Sequence, residues 1–215
     1  MRRIFEIVFW TALVLGVVIG LARAVAIRWW RVPNDDPYLS ASTSPSIRAG
    51  DLILLWRLTP PGFGDLVLCP EPKRPERIVI GRIVGESRDD LEINGADITV
   101  NRKRQLVESN CHHPRTFVEH DPSSGIEVEQ HCSFEELANT THMRGELLTR
   151  GVRPPDVKTT VPDGYVFLVS DNRQYPYDSR DFGPVPRETC TETVFFRLVG
   201  AGGFFDSKSR NTYIR

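Results

Sequence analysis

Four serines and one threonine occupy seven positions between Ser40 and Ser46: Ser40, Ser42, Thr43, Ser44 and Ser46. A serine hydroxyl can attack a carbonyl once a base removes its proton, and a second hydroxyl can donate to the oxyanion that forms. The same composition also suits a Ser/Thr linker running into the apolar stretch Leu52-Ile53-Leu54-Leu55-Trp56. Far downstream, charges gather in Ser170-Asp171-Asn172-Arg173 and in Asp178-Ser179-Arg180-Asp181-Phe182-Gly183. Asp171, Arg173, Asp178 and Arg180 can scaffold an active site, or they can form an ion-pair network that holds a loop across a sheet.

The hydroxyl run continues through Pro45, Ile47 and Gly50-Asp51. It is similar to the box Ser-x-Ser-Met-x-Pro-Thr-Leu-x-x-Gly-Asp of the type I signal peptidases, membrane-bound serine proteases that work with a Ser-Lys dyad. Gly64-Asp65, the run Arg82 to Gly85 and the stretch Asp171 to Gly183 resemble later boxes of that family, in the same order. The resemblance implies a mainly β fold: a signal-peptidase-type antiparallel β-sheet body with a cap insertion, behind one N-terminal transmembrane helix. It puts the nucleophile on Ser42 and the oxyanion-hole serine on Ser40. It gives Arg82, Asp171, Arg173, Asp178 and Arg180 mainly the role of holding the boxes together. No cofactor and no metal are expected.

Among the departures from the family pattern, four stand out, besides Ser46 for Thr and Ile47 for Leu. Thr43 replaces the usual methionine, and Ser170 the glycine before Asp171. Pro176 stands where the family often has a serine that hydrogen-bonds the lysine. Above all, Gly81 occupies the position of the general-base lysine, directly before Arg82. Glycine takes no proton, and a guanidinium stays protonated. Lys73, Lys103 and Lys158 remain as lysines that could stand in, and the five histidines, at 112, 113, 120, 131 and 142, all fall in the insertion.

Two functions follow from the resemblance. One is a signal peptidase I-like endopeptidase that removes signal peptides from exported preproteins after small side chains, with Ser42 attacking. The other is a catalytically impaired or inactive homologue that binds extended peptide segments by strand addition, or assists export or assembly. Both place the chain at a lipid bilayer, single-pass, with the body on the outer face and extended segments of exported proteins as partners. The formal net charge of -1 offers no basic footprint for nucleic acid.

The elements that must position these residues are legible in outline. Residues Ile7 to Ala22 carry no charge. Ile4–Ile27 is long enough for one transmembrane helix, with Trp29-Trp30 as an interfacial anchor. A cleavable signal peptide with Ala22-Arg23-Ala24 as its small-x-small site is the alternative. Strands are expected over Asp51–Leu58, Gly64–Cys69, Ile78–Val84, Leu91–Val100 (as a hairpin turning at Asn94-Gly95), Val166–Val169 and Thr193–Val199. These divide the chain into an anchor (1–31), a β core (32–105 and 156–205), a cap (106–155) with few strand runs, and a loose polar tail (206–215). In an outward-facing domain, Cys111 and Cys132 can close a disulfide loop of about 20 residues, worth roughly 3 kcal/mol. The alternative is zinc bound by Cys111-His112-His113 with His131-Cys132. Cys69 and Cys190 read as small buried or unpaired residues.

Overall fold

Near the N-terminus the sequence has no proline, and after Glu6 it has no charge until Arg23. It forms one helix, α1 (Arg2–Val25). The computed structural model describes residues 2–111, 115–138, 140–147 and 154–214. In it α1 is exposed from Arg3 to its end and is long and apolar enough to cross a membrane. Such a helix is stable in hydrocarbon because its backbone groups are satisfied internally. β1 (Ile27–Arg31) follows at once. Residues 27–31, the end of the stretch read as an anchor, therefore form a sheet strand. Trp30 packs against the core cluster around Ile53, and the Arg23 guanidinium lies 4.6 Å over the Trp29 ring.

The remaining elements begin with α2 (Pro37–Thr43), β2 (Leu52–Trp56), β3 (Leu66–Glu71) and β4 (Arg74–Gly85). Next come β5 (Asp90–Asn94), β6 (Asp97–Val100), β7 (Lys103–Arg104), β8 (Leu106–Asn110), β9 (Thr116–His120), β10 (Glu127–Leu137) and β11 (Thr140–Leu147). Last are β12 (Val157–Thr160), β13 (Tyr165–Val169), α3 (Ser179–Phe182), β14 (Val185–Pro186), β15 (Glu192–Val199) and β16 (Thr212–Tyr213). The fold is mainly β. Its largest sheet runs β1-β2-β15-β3-β4-β13-β14, with β16 added to β15, and every pairing is antiparallel. A second sheet joins β11, β10 and β8, with β9 also on β10, and a third runs β12-β5-β6-β7.

Side-chain alternation on the large sheet explains its two buried faces. Ile53 and Leu55, Leu66 and Leu68, Ile80 and Val194 point into one cluster with Leu39 and Ile47. Val67 and Cys69, Val79 and Ile83, Val166 and Leu168 point into the other. A third cluster joins Val84, Phe167 and Val169 of the large sheet to Leu91, Ile93 and Ile98 of the third sheet. The strand register therefore fixes β4 and β13 from both sides.

Three expectations are corrected. The stretch 106–155 contains β8 to β11, although its polar sequence shows few strand runs. Its inward positions carry Ser133, Glu135, His142 and Arg144 in place of an apolar face, so the usual alternation signal is missing. The tail is docked: β16 pairs Phe196 with Tyr213, and Ile214 joins the core. Cys69 and Cys190 are joined in a disulfide. Cys111 and Cys132 form a second one, which removes both thiolates from any metal set. His112 and His113 lie outside the described residues.

Candidate active site

α2 carries Ser40 and Ser42. Asp36 caps it, its Oδ1 accepting from the Leu39 N–H at 3.0 Å, and Pro37 starts the first turn. Ser42 is fully buried. Its Oγ donates to the Leu39 carbonyl at 3.0 Å, one turn back in the same helix. Ser40 is half-buried and its Oγ accepts from Ala49 N–H at 3.4 Å. Ser44 Oγ donates to the Glu119 carboxylate of β9.

The acidic box meets this segment through backbone. The Asn172 N–H donates to the Ser42 carbonyl at 3.0 Å. Gly145 of β11 brackets the same residue, donating to Asp171 O at 2.9 Å and accepting from Arg173 N–H at 2.8 Å. A Cβ at position 145 would lie 2.6 Å from Phe117 Cζ, so the ring could not keep its place beside a larger residue.

Arg82 and Asp171 form a buried bidentate pair. Nε and Nη2 each donate to one carboxylate oxygen at 2.9 Å, and Nη1 reaches the Gly64 carbonyl at 2.9 Å. Ser46 Oγ adds a bond to Asp171 Oδ2 at 2.5 Å. Burial alone would raise the Asp171 carboxyl, but the Arg82 charge and its hydrogen bonds hold it below its ordinary value. Asp178 accepts from Ser170 N–H at 2.8 Å and from Arg180 at 2.7 and 3.0 Å, and caps α3. Ser170 is wired in as well, its Oγ accepting from Tyr177 N–H at 3.2 Å.

The sequence reading missed the partners of Arg173. This residue pairs with Glu135 of β10, which also faces Arg144 at 3.3 Å and His142 Nε2 at 3.2 Å. Arg173 and Arg144 each donate to the Ala96 carbonyl at 3.0 Å, so the acidic box, the β10–β11 pair and the β5–β6 turn meet there. Burial opposes ionisation of Glu135, yet Arg173 and the neighbouring donors lower its pKa to about 2. His142 also stands 3.8 Å from Asp171. Burial and the Arg82 charge lower its pKa below the ordinary value, against the pull of Glu135 and Asp171. Alternation of polar residues in Thr140–Leu147 was the available signal for this inward polar face.

Among the described residues, no base hydrogen-bonds Ser42, whose Oγ donates to the Leu39 carbonyl. Gly81 lies in β4 opposite Val67, and a Cβ added there would stand 3.0 Å from Leu168 Cβ. Each of the four lysines, Lys73, Lys103, Lys158 and Lys208, is exposed, whereas a neutral lysine base needs burial. A cavity of about 710 Å³ opens between Ser46, His142 and Tyr213. Ser40, Ser42 and Gly81 do not line it.

Residues 4–199 match the family described as Signal peptidase, peptidase S26. Signal peptidase I of Aquifex aeolicus (strain VF5) is 28% identical over 187 residues, covering 73% of this chain and 72% of the relative. Signal peptidase I V of Bacillus subtilis (strain 168) is 25% identical over 130 residues, covering 60% of this chain and 62% of the relative. A solved signal peptidase I of Enterococcus faecalis V583 has a TM-score of 0.40 at 18% identity, covering 63% of this chain and 97% of that one.

Proposed function

The chain belongs to the signal peptidase family, peptidase S26, and from that premise we propose that it receives extended segments of exported, signal-peptide-bearing preproteins at the membrane surface. The observation that carries this reading is an open sheet edge. β4 pairs with β3 from Ile78 to Arg82, whereas β13 meets it only at Arg82, Ile83 and Gly85. Ile78–Gly81 thus has a strand on one side and, among the described residues, none on the other. Leu39 of α2 packs in the same cluster as Ile80, which sets the edge beside the serine segment. Unpaired N–H and C=O groups of such an edge bind an extended chain by strand addition.

In this reading Ser42 holds the nucleophile's position and Ser40 that of the oxyanion donor. Asp171, Arg173, Asp178, Arg180 and Arg82 support the site without touching substrate. Gly81 brings no base, and the Ser42 hydroxyl is donated into its own helix. Loss of the base from a catalytic unit of this kind costs on the order of 10⁴-fold in rate or more. The chain accordingly engages its substrate far better than it cuts it. α1 is its single span, with the body on the outer face, residues 32–105 and 156–205 as the core and 106–155 as the cap.

A labelled synthetic peptide with a small-x-small segment tests the reading, added to the full chain in nanodiscs. Strand addition requires the peptide's own amides. The peptide should bind, and its counterpart N-methylated on alternate amides should not. Equal binding of both, or binding of neither, would sink the proposal.

A further inference from the structure

The open edge of β4 begins beside Arg77, and three pieces of chain converge on that side chain. Its guanidinium is paired with Asp36, Nε to Oδ2 at 3.2 Å and Nη2 to Oδ1 and Oδ2 at 3.1 and 3.0 Å. Its central carbon stands 4.1 Å from the Tyr177 ring centre and 5.9 Å from that of Tyr38. The two rings lie 6.0 Å apart. Tyr177 is fixed in turn by Glu71, whose Oε2 accepts from its hydroxyl at 2.8 Å, and by a donor from Arg74.

These residues come from the parts of the chain that frame the edge. Asp36 and Tyr38 begin the segment that carries Ser40 and Ser42. Tyr177 belongs to the loop between Asp171 and Asp178. Asp36 has two tasks, because the carboxylate that holds Arg77 also caps α2. The wound form of α2 is the one in which Ser42 Oγ rests on the Leu39 carbonyl. Arg77, at the start of the edge, and the wound α2 with its buried serine thus share one anchor.

We propose that Arg77, with Asp36, Tyr38 and Tyr177, is a clasp that shuts the open edge of β4 and keeps α2 wound, so that an extended peptide enters only when the clasp opens. This rests on the reading that the edge receives peptide. The ion pair is about a quarter exposed, at 23% and 24%, so salt screens it and its grip is modest. Stacking of the guanidinium on Tyr177 adds to it. A clasp of that strength leaves a small open population, and a peptide that binds only the open form has its affinity reduced by that fraction.

Hydrogen exchange on the full chain in nanodiscs reads the clasp without any peptide. Arg77→Met removes the fork and the stack. Asp36→Asn removes the charge but keeps a residue that caps helices well. Amide exchange in 38–43 and 78–81 should speed up by about tenfold in Arg77→Met and about threefold in Asp36→Asn, with exchange at Phe167 and Leu168 unchanged. Affinity for the small-x-small peptide should rise by a similar factor. Unchanged exchange in 38–43 and 78–81 would overturn the clasp, as would faster exchange with weaker peptide binding, which would make Arg77 a contact for the peptide. Faster exchange with no peptide bound by any variant would establish the clasp and sink the peptide reading alone.

Discussion

The Asn172 N–H donates to the Ser42 carbonyl at 3.0 Å, and Gly145 brackets Asn172 with a hydrogen bond on either side. The serine helix, the acidic box and β11 therefore meet through backbone hydrogen bonds at Asn172, and the Phe117 and Gln130 side chains pack against the Gly145 end of that junction. Gly145→Ala would set a Cβ against Phe117 Cζ at 2.6 Å and Gln130 Oε1 at 3.0 Å, both in well-packed surroundings. We expect a loss of about 1–3 kcal/mol, measured as a lower denaturant midpoint with an unchanged slope.

The Arg82–Asp171 pair has almost no solvent contact. Removing one partner leaves a buried charge without compensation. Asp171→Asn should therefore cost about 3–5 kcal/mol. A chemical denaturation curve checks it, and a loss below 1 kcal/mol would mean that the pair is not buried in solution.

Acid should destabilise the protein in two steps. His142 has a folded pKa below its ordinary 6.5, owing to burial and Arg82, against the pull of Glu135 and Asp171. Arg144 also packs on the same Glu135. The unfolded chain then takes up a proton first, so this stability is present above pH 6.5 and is lost as pH falls below it. Glu135 is depressed from 4.5 to about 2, so its contribution is lost between those values. His142→Gln should flatten the first step and shrink the second, because His142 helps to hold Glu135 below its ordinary value. Denaturant midpoints across pH read both, and a midpoint that rises on acidification would contradict them.

The strands of the large sheet could be read from sequence because their burial alternates or runs unbroken, as in Leu52–Trp56 and Ile78–Val84. The cap could not, because several of its inward positions are polar or charged and find partners far away in sequence, such as Glu135 with Arg173. Ser40, Ser42 and Gly81 stand in a legible order, but the α2 winding that buries the Ser42 hydroxyl depends on the Asp36 cap and on Leu39 packing. The docking of Thr212–Tyr213 likewise depends on Phe196, which no local pattern in the tail announces. Cys69 and Cys190 are 121 residues apart, and only the pairing of β3 with β15 brings them together.

That separation has a consequence for stability. In the loop-entropy account, a link across 121 residues restrains the unfolded chain by about 5 kcal/mol, and one across 21 residues by about 3 kcal/mol. Replacing Cys69 and Cys190 with serine should lower Tm more than the same change at Cys111 and Cys132. The reverse order would show that local packing in the cap outweighs chain entropy.

Cleavage of a preprotein with a small-x-small site, followed with the full chain in detergent, tests the central claim most directly. Wild type, Ser42→Ala and Gly81→Lys are compared, with Gly81→Ala as the control for the 3.0 Å approach to Leu168 Cβ. The account expects wild type to bind the preprotein and to cut it no faster than Ser42→Ala, with Ser42-dependent cleavage gained once lysine stands at 81. Rapid cleavage by wild type that Ser42→Ala abolishes would contradict it, because a base would then be acting on Ser42 without a lysine at position 81.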